Sequence, residues 1–253
     1  MRGRPVEPRR DPRRVALAIL VGVWEACADF GYFNPLYMPA PSKVAVALVQ
    51  LFAQGTIWPH LIATFGAALG GLAVGLIVGT VLGAVAALTP IVGELLAPVM
   101  IALNAVPRVV LAPLFVIWFG IGIGSKVALA FILVAVLIFF TVFTGIRDVD
   151  RRLVERVITL GGGRGALLRE VYGPSVIAWI LGNLKVAVGF AFTGAVVGEF
   201  VAATKGLGYL LSFAQSSYNA ALMLALVVLI MGFVLLLFGL TGVLERRLLR
   251  WRG

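Results

Sequence analysis

The chain has 253 residues, of which 61% are hydrophobic and only 13% charged, and its mean hydropathy is +1.07. A soluble domain carries about twice that share of charge, so the composition excludes an ordinary soluble enzyme and a disordered chain. What remains is a polytopic membrane protein, with room for five to seven helices at roughly 20 residues per span. The formal net charge of +10 is not evenly spread. Six arginines fall in the first fourteen residues, six lie from Arg147 to Arg169, and four close the chain (Arg246, Arg247, Arg250, Arg252), so 16 of 21 Lys and Arg sit in three clusters. Clusters that flank apolar runs are the positive-inside pattern and argue against nucleic-acid binding. One cysteine, Cys27, and one histidine, His60, give no disulfide, no Cys-based metal site and no His cluster.

In chain order, a basic tail (1–14) leads into a first span over 15–33. Glu25 and Asp29 follow its apolar run where a signal peptide would show small residues, so it is read as a retained helix. The connection 34–59 is proline-rich, and Ser42 is expected to cap a short interfacial helix to about Gln54, with Val44, Leu48 and Leu51 on its apolar face. A core of five helices occupies 60–249. Its first span, 61–88, carries Gly71, Gly75, Gly79 and Gly83, a row on one helix face that permits close helix packing. The next, 95–119, contains Pro98, Pro107 and Pro113, and places Arg108 about 20 Å deep, either as an anion-attracting or gate residue or as half of a structural pair. The span 126–146 is followed by a polar stretch, 147–173, too charged to cross a bilayer. Another span, 175–201, holds Asn183, Lys185 and Glu199. Asn183 is expected to bond between helices, and Glu199 either closes an outer gate or sits at the interface. A short segment with Gly206-Leu207-Gly208-Tyr209 leads to the last span, 220–244, and the end, 250–253. Six spans put both termini and the 147–173 loop on one side. The positive-inside rule makes that side cytoplasmic and leaves Lys43, Lys126 and Lys205 outside.

The loop carries the most specific signal. A short helix is expected over 149–160, then a turn at Gly161-Gly162-Gly163, then a second short helix over 166–171 before Pro174 opens the next span. Such a hairpin suits docking into a groove of another protein, its arginines offering charged contacts. Gly161-x-Gly163-x-x-Ala166 imitates a dinucleotide fingerprint, but a membrane helix precedes it where a strand is required.

From Glu155 to Pro174 the loop resembles the EAA loop of ABC importer permeases: Glu155, Gly161 and Pro174 stand at the family spacing, while Arg156 and Val157 replace the alanine pair. Pro39-Ala40-Pro41-Ser42, Val106-Pro107 with Ala112-Pro113-Leu114, Trp118-Phe119-Gly120-Ile121-Gly122, Gly145-Ile146-Arg147-Asp148-Val149-Asp150, and Glu199 with Gly206-Leu207-Gly208-Tyr209 resemble the nitrate/sulfonate/taurine branch of that family. Phe65-Gly66-Ala67 stands where that branch has an arginine. The resemblance implies an all-α membrane protein with six transmembrane helices, the type I ABC importer permease fold and a cytoplasmic coupling-helix loop. It implies a permease in the inner membrane, working as a homodimer with two copies of an ABC ATPase docked on Glu155, Arg156, Val157, Gly161, Gly162, Gly163 and Pro174. ATP and Mg would be bound by that ATPase, with no cofactor on this chain, and an extracytoplasmic binding protein would deliver a sulfonate, taurine or nitrate-like anion or a heterocyclic vitamin precursor. The chain has no Gly-x-x-x-x-Gly-Lys-Ser/Thr of its own. Two readings compete. An ATP-independent transporter or channel would favour midspan acids, which are nearly absent; a membrane enzyme would need a catalytic cluster.

Overall fold

A computed structural model describes residues 12–248 and is helical throughout, so most of the expected basic tail and all of 250–253 lie outside the described residues. The helices are α1 (Pro12–Asp29), α2 (Pro41–Ala53), α3 (Trp58–Leu88), α4 (Pro90–Ala105), α5 (Arg108–Phe119), α6 (Ile123–Arg147), α7 (Arg151–Thr159), α8 (Arg164–Leu167), α9 (Gly173–Val201), α10 (Leu207–Ser216) and α11 (Ala220–Leu248). A π-helical turn, Leu168–Tyr172, joins α8 to α9.

Four helical stretches are long and apolar enough to cross a membrane: α3, α6, the run Arg164–Val201 and Ala220–Val243; α4 with α5 makes a fifth if the bent pair counts as one span. α1 has 18 residues but includes Arg13, Arg14, Glu25 and Asp29, and falls outside that set. The spanning helices are apolar all round, as helices facing lipid and neighbours must be.

The core is a three-helix slab in which α3 packs on α6 and α6 on α9. The glycine row makes the first contact. A Cβ built on Gly75 would lie 2.6 Å from Val134 Cβ, one on Gly79 2.7 Å from the Ala135 carbonyl oxygen, and one on Gly83 2.7 Å from the Phe139 carbonyl oxygen. Gly71 is equally closed by Ala130. α9 meets α6 in the same way, with Gly194 against the Ala130 backbone. Around these contacts Val134, Ile138, Val142, Ala187 and Ala191 are buried. A second cluster, with Ile57, Leu61, Phe192, Leu207 and Leu226, fills the end away from the loop.

Three expectations are corrected. The third span is not one helix: Val106 and Pro107 are extended, and the axes of Pro90–Ala105 and Val109–Phe119 differ by 106°. A residue before proline is pushed out of the helical region, which accounts for the break at Val106, whereas Pro98 and Pro113 stay inside helices. Ser42 does not cap α2. The cap position is Ala40, with Pro41 first in the helix, and the Glu25 carboxylate of α1 accepts from Ser42 N–H at 2.9 Å and from its hydroxyl at 2.6 Å. The anion therefore reaches the positive end of α2 from another helix. Finally, no separate short helix precedes Pro174. The Gly173 N–H bonds to the Leu168 carbonyl five residues back, and this wider turn carries the helix through the proline without a break.

Candidate functional site

Two groups of polar side chains stand at opposite ends of the bundle. At the first end, where α3, α6 and α10 begin and α9 finishes, Glu199 is 2% exposed. Its Oε2 accepts from the Thr64 hydroxyl at 2.8 Å and from Gly208 N–H at 3.0 Å. Thr64 in turn accepts from Leu207 N–H at 2.8 Å, and His60 Nδ1 accepts from Gly206 N–H at 3.0 Å. The first three amides of the 206–208 entry to α10, which no intrahelical carbonyl can satisfy, are thus taken up by side chains of α3 and α9. The glycines explain how the segment approaches so closely. Gly206 has φ +121, and a Cβ there would overlap the Glu199 carboxylate; one on Gly208 would overlap the Val196 carbonyl. The His60 ring stacks on Tyr209 with centroids 5.8 Å apart and planes at 1°.

Lys126 stands in the first turn of α6, at the end of the bundle away from the loop, and is 3% exposed. Its ammonium donates to the Ile121 carbonyl and to Ser125 Oγ. Lys126 and Glu199 line one cavity of about 180 Å³ with Ala63, Ala67, Gly122 and Lys205, a mostly apolar space with these charged groups on its wall. The two side chains make no direct ion pair with each other.

At the second end lies the loop. Asp150 caps α7 by accepting from Arg152 N–H at 2.9 Å. α7 closes in a Schellman turn: Gly161 N–H bonds to the Ile158 carbonyl and Gly162 N–H to the Val157 carbonyl, both at 2.9 Å. The three glycines are not equivalent. Gly161 holds φ +81, and a Cβ on Gly162 would stand 2.8 Å from the Val157 carbonyl oxygen, whereas Gly163 has φ −85 and open space. Glu155 lines a cavity of about 440 Å³ under the loop with Arg147, Arg151, Tyr172 and the last residues of α3. Arg147 lies 4.5 Å over the Phe143 ring. None of α7 is buried, and its apolar Leu153 and Ile158 are 49% and 56% exposed.

The structure therefore keeps the loop residues together and sets Glu199 at the opposite end. Arg108 opens α5 just past the bend, and its side chain lies outside the described residues. Asn183 bonds back to its own helix, Nδ2 to the Trp179 carbonyl at 3.0 Å. Reading by sequence missed Thr64 as the partner of Glu199, and His60 and Lys126 as members of the same polar end. The available signal was the spacing of His60 and Thr64, one helical turn apart on one face.

A helical membrane bundle with helix ends tied on one side and a structured amphipathic loop on the other has the form of a transporter's membrane component. The family described as binding-protein-dependent transport system inner membrane component matches residues 75–250. The chain belongs to that family, and it is the permease component of an ABC importer, an integral inner-membrane protein. It is similar to the riboflavin transport system permease protein RibX of Chloroflexus aurantiacus, 38% identical over 94% of this chain and 89% of that one. It is also similar to the taurine permease TauC of Escherichia coli, 31% identical over 94% and 88%. Among solved structures, an amino acid ABC transporter matches with TM-score 0.65 at 18% identity, covering 79% of this chain and 97% of that one. The inward-facing MetNI methionine transporter matches with TM-score 0.59 at 20% identity, covering 81% and 97%. These two show a shared fold.

Proposed function

We propose that two copies of this chain form the path of an ATP-driven importer, each docking one separate ATPase on its 147–173 loop. The observation that carries this reading is α7: capped, closed by a Schellman turn, and presenting Leu153 and Ile158 uncovered beside Arg152 and Arg156. An exposed apolar stripe flanked by charge is an interface waiting for its partner. ATP and Mg belong to that partner, and a binding protein brings substrate to the opposite face. Six spans, with α1 and the bent α4–α5 pair counted, put the loop and both termini on the cytoplasmic side, as the arginine clusters require.

The substrate we propose is a heterocyclic vitamin or vitamin precursor, the class in the name of the 38% identical relative; a sulfonate is the second reading, after the 31% identical one. The test is co-purification of the ATPase with wild type, Glu155→Lys and Gly161→Pro, followed by uptake of labelled riboflavin and labelled taurine into proteoliposomes carrying the ATPase and binding protein. Wild type should hold the ATPase and both variants should lose it or its stimulated turnover. ATP-independent flux through a folded wild type that binds no ATPase would return the reading to a channel or secondary transporter.

A further inference from the structure

Both buried charges at the first end sit at unfavourable helix poles. Lys126 is a cation in the first turn of α6, and Glu199 an anion two residues from the end of α9. The helix macrodipole disfavours each placement. Charges this buried persist only where something compensates them. Lys126 leans on the Ile121 carbonyl and Ser125 Oγ; Glu199 leans on Thr64 and on the amides that open α10. Each then faces the cavity that holds the other. Gly198 lets the Lys126 stem come within 3.4 Å of where a Cβ would stand, so the two helix ends meet beside the pair.

We propose that Glu199 and Lys126 are a positioning pair that latches α10 onto the ends of α3, α6 and α9 in the resting transporter and releases it when ATP closes the ATPases. This rests on the permease reading above. α9 is suited to transmit the release, because it runs unbroken from the loop to Glu199. The carboxylate is the movable part: it accepts from Gly208 N–H at the α10 entry, while His60 and Thr64 of α3 hold the neighbouring amides. The cavity beside it gives the carboxylate somewhere to turn, with the Lys126 ammonium on its wall.

The experiment is hydrogen exchange by mass spectrometry on peptides covering 206–210, in the complete complex with its ATPase, at rest and trapped with ATP and vanadate. In wild type those amides should exchange about tenfold faster when trapped, the effect expected from losing a buried hydrogen bond. At rest, Lys126→Met should speed exchange by removing the buried cation from the wall of the cavity that the Glu199 carboxylate faces, leaving Thr64, the α10 amides and Lys205 to balance it. The double variant Lys126→Met/Glu199→Gln, which removes both charges and keeps an acceptor for Gly208, should restore protection. Equal exchange in the two wild-type states overturns the latch even if no variant folds. Variants that all match wild type at rest overturn the pairing. Failure of the ATPase to co-purify would instead refute the docking of an ATPase on the loop, leaving the resting-state comparison still readable on the permease alone.

Discussion

Gly79→Ala adds one methyl group where α3 and α6 have no room for it. The new Cβ would stand 2.7 Å from the Ala135 carbonyl oxygen and 2.9 Å from Ile138 Cβ. Neither atom can swing away, because one is backbone and the other is fixed to it. Ordinary contact begins near 3.4 Å, so the helices must part locally by 3.4 − 2.7 = 0.7 Å. A radial gap of that size forfeits roughly a quarter to a half of the dispersion energy of the atoms lining it. Overpacking of a tight core costs about 1–3 kcal/mol. In a bilayer, where helices associate through packing rather than the hydrophobic effect, little offsets that loss. For a chain of this size, about 1–3 kcal/mol lowers the unfolding midpoint by roughly 2–12 °C. The assay is thermal unfolding in detergent followed by tryptophan fluorescence. The control is Gly70→Ala on the same helix, where the new Cβ would sit 3.4 Å from Val127 Cγ2, a mobile methyl, and the midpoint should hardly move. If Gly79→Ala and Gly70→Ala unfold together, the glycine row is not what sets the α3–α6 distance.

Two further outcomes follow from local geometry. In the loop, Gly161→Ala should weaken ATPase co-purification and cost about 1 kcal/mol, because an L-residue is strained at φ +81; Gly163→Ala should behave as wild type in the same pull-down. Glu25→Ala should destabilise α2 by about 0.5–2 kcal/mol, the worth of a lost N-terminal cap, and should speed exchange of the Ser42 amide, whereas Lys43→Ala should leave that amide unchanged.

What the sequence made legible was local or periodic. Gly71, Gly75, Gly79 and Gly83 announce a close helix contact by spacing alone, although not that α6 is the partner. The turn after α7 follows from Gly161 and Gly162 because both the left-handed residue and the close approach lie within one turn. Proline was less informative. Of three prolines in 95–119 one breaks the helix, and Pro174 breaks nothing, because the outcome depends on whether the backbone can widen, as it does at Leu168–Tyr172. The Glu199 network was the least legible. Glu199 and Thr64 lie 135 positions apart, so their bond exists only through the packing of α3 on α9. The burial of Lys126 was not legible either: its position at the start of a span fits the side away from the loop, and only the fold shows the 120–122 turn coming back to offer it a carbonyl.

The two polar ends are linked by the helices between them. α3 runs from His60 and Thr64 to Leu88 above the loop cavity, α6 from Lys126 to Arg147, and α9 from the π-turn to Glu199. From Gly173 to Glu199, α9 is about 39 Å long at 1.5 Å per residue. Its contacts with α6 are glycine against backbone at Gly194, which leaves no slack for bending there. At the far end α9 meets α10 by packing as well as by hydrogen bonding, with Leu207 buried beside Phe192, Gly208 against the Val196 carbonyl, and Glu199 accepting from Gly208 N–H. The π-turn, where the hydrogen-bond ladder is already widened, is therefore where α9 has the most slack to take up a displacement that begins at the loop.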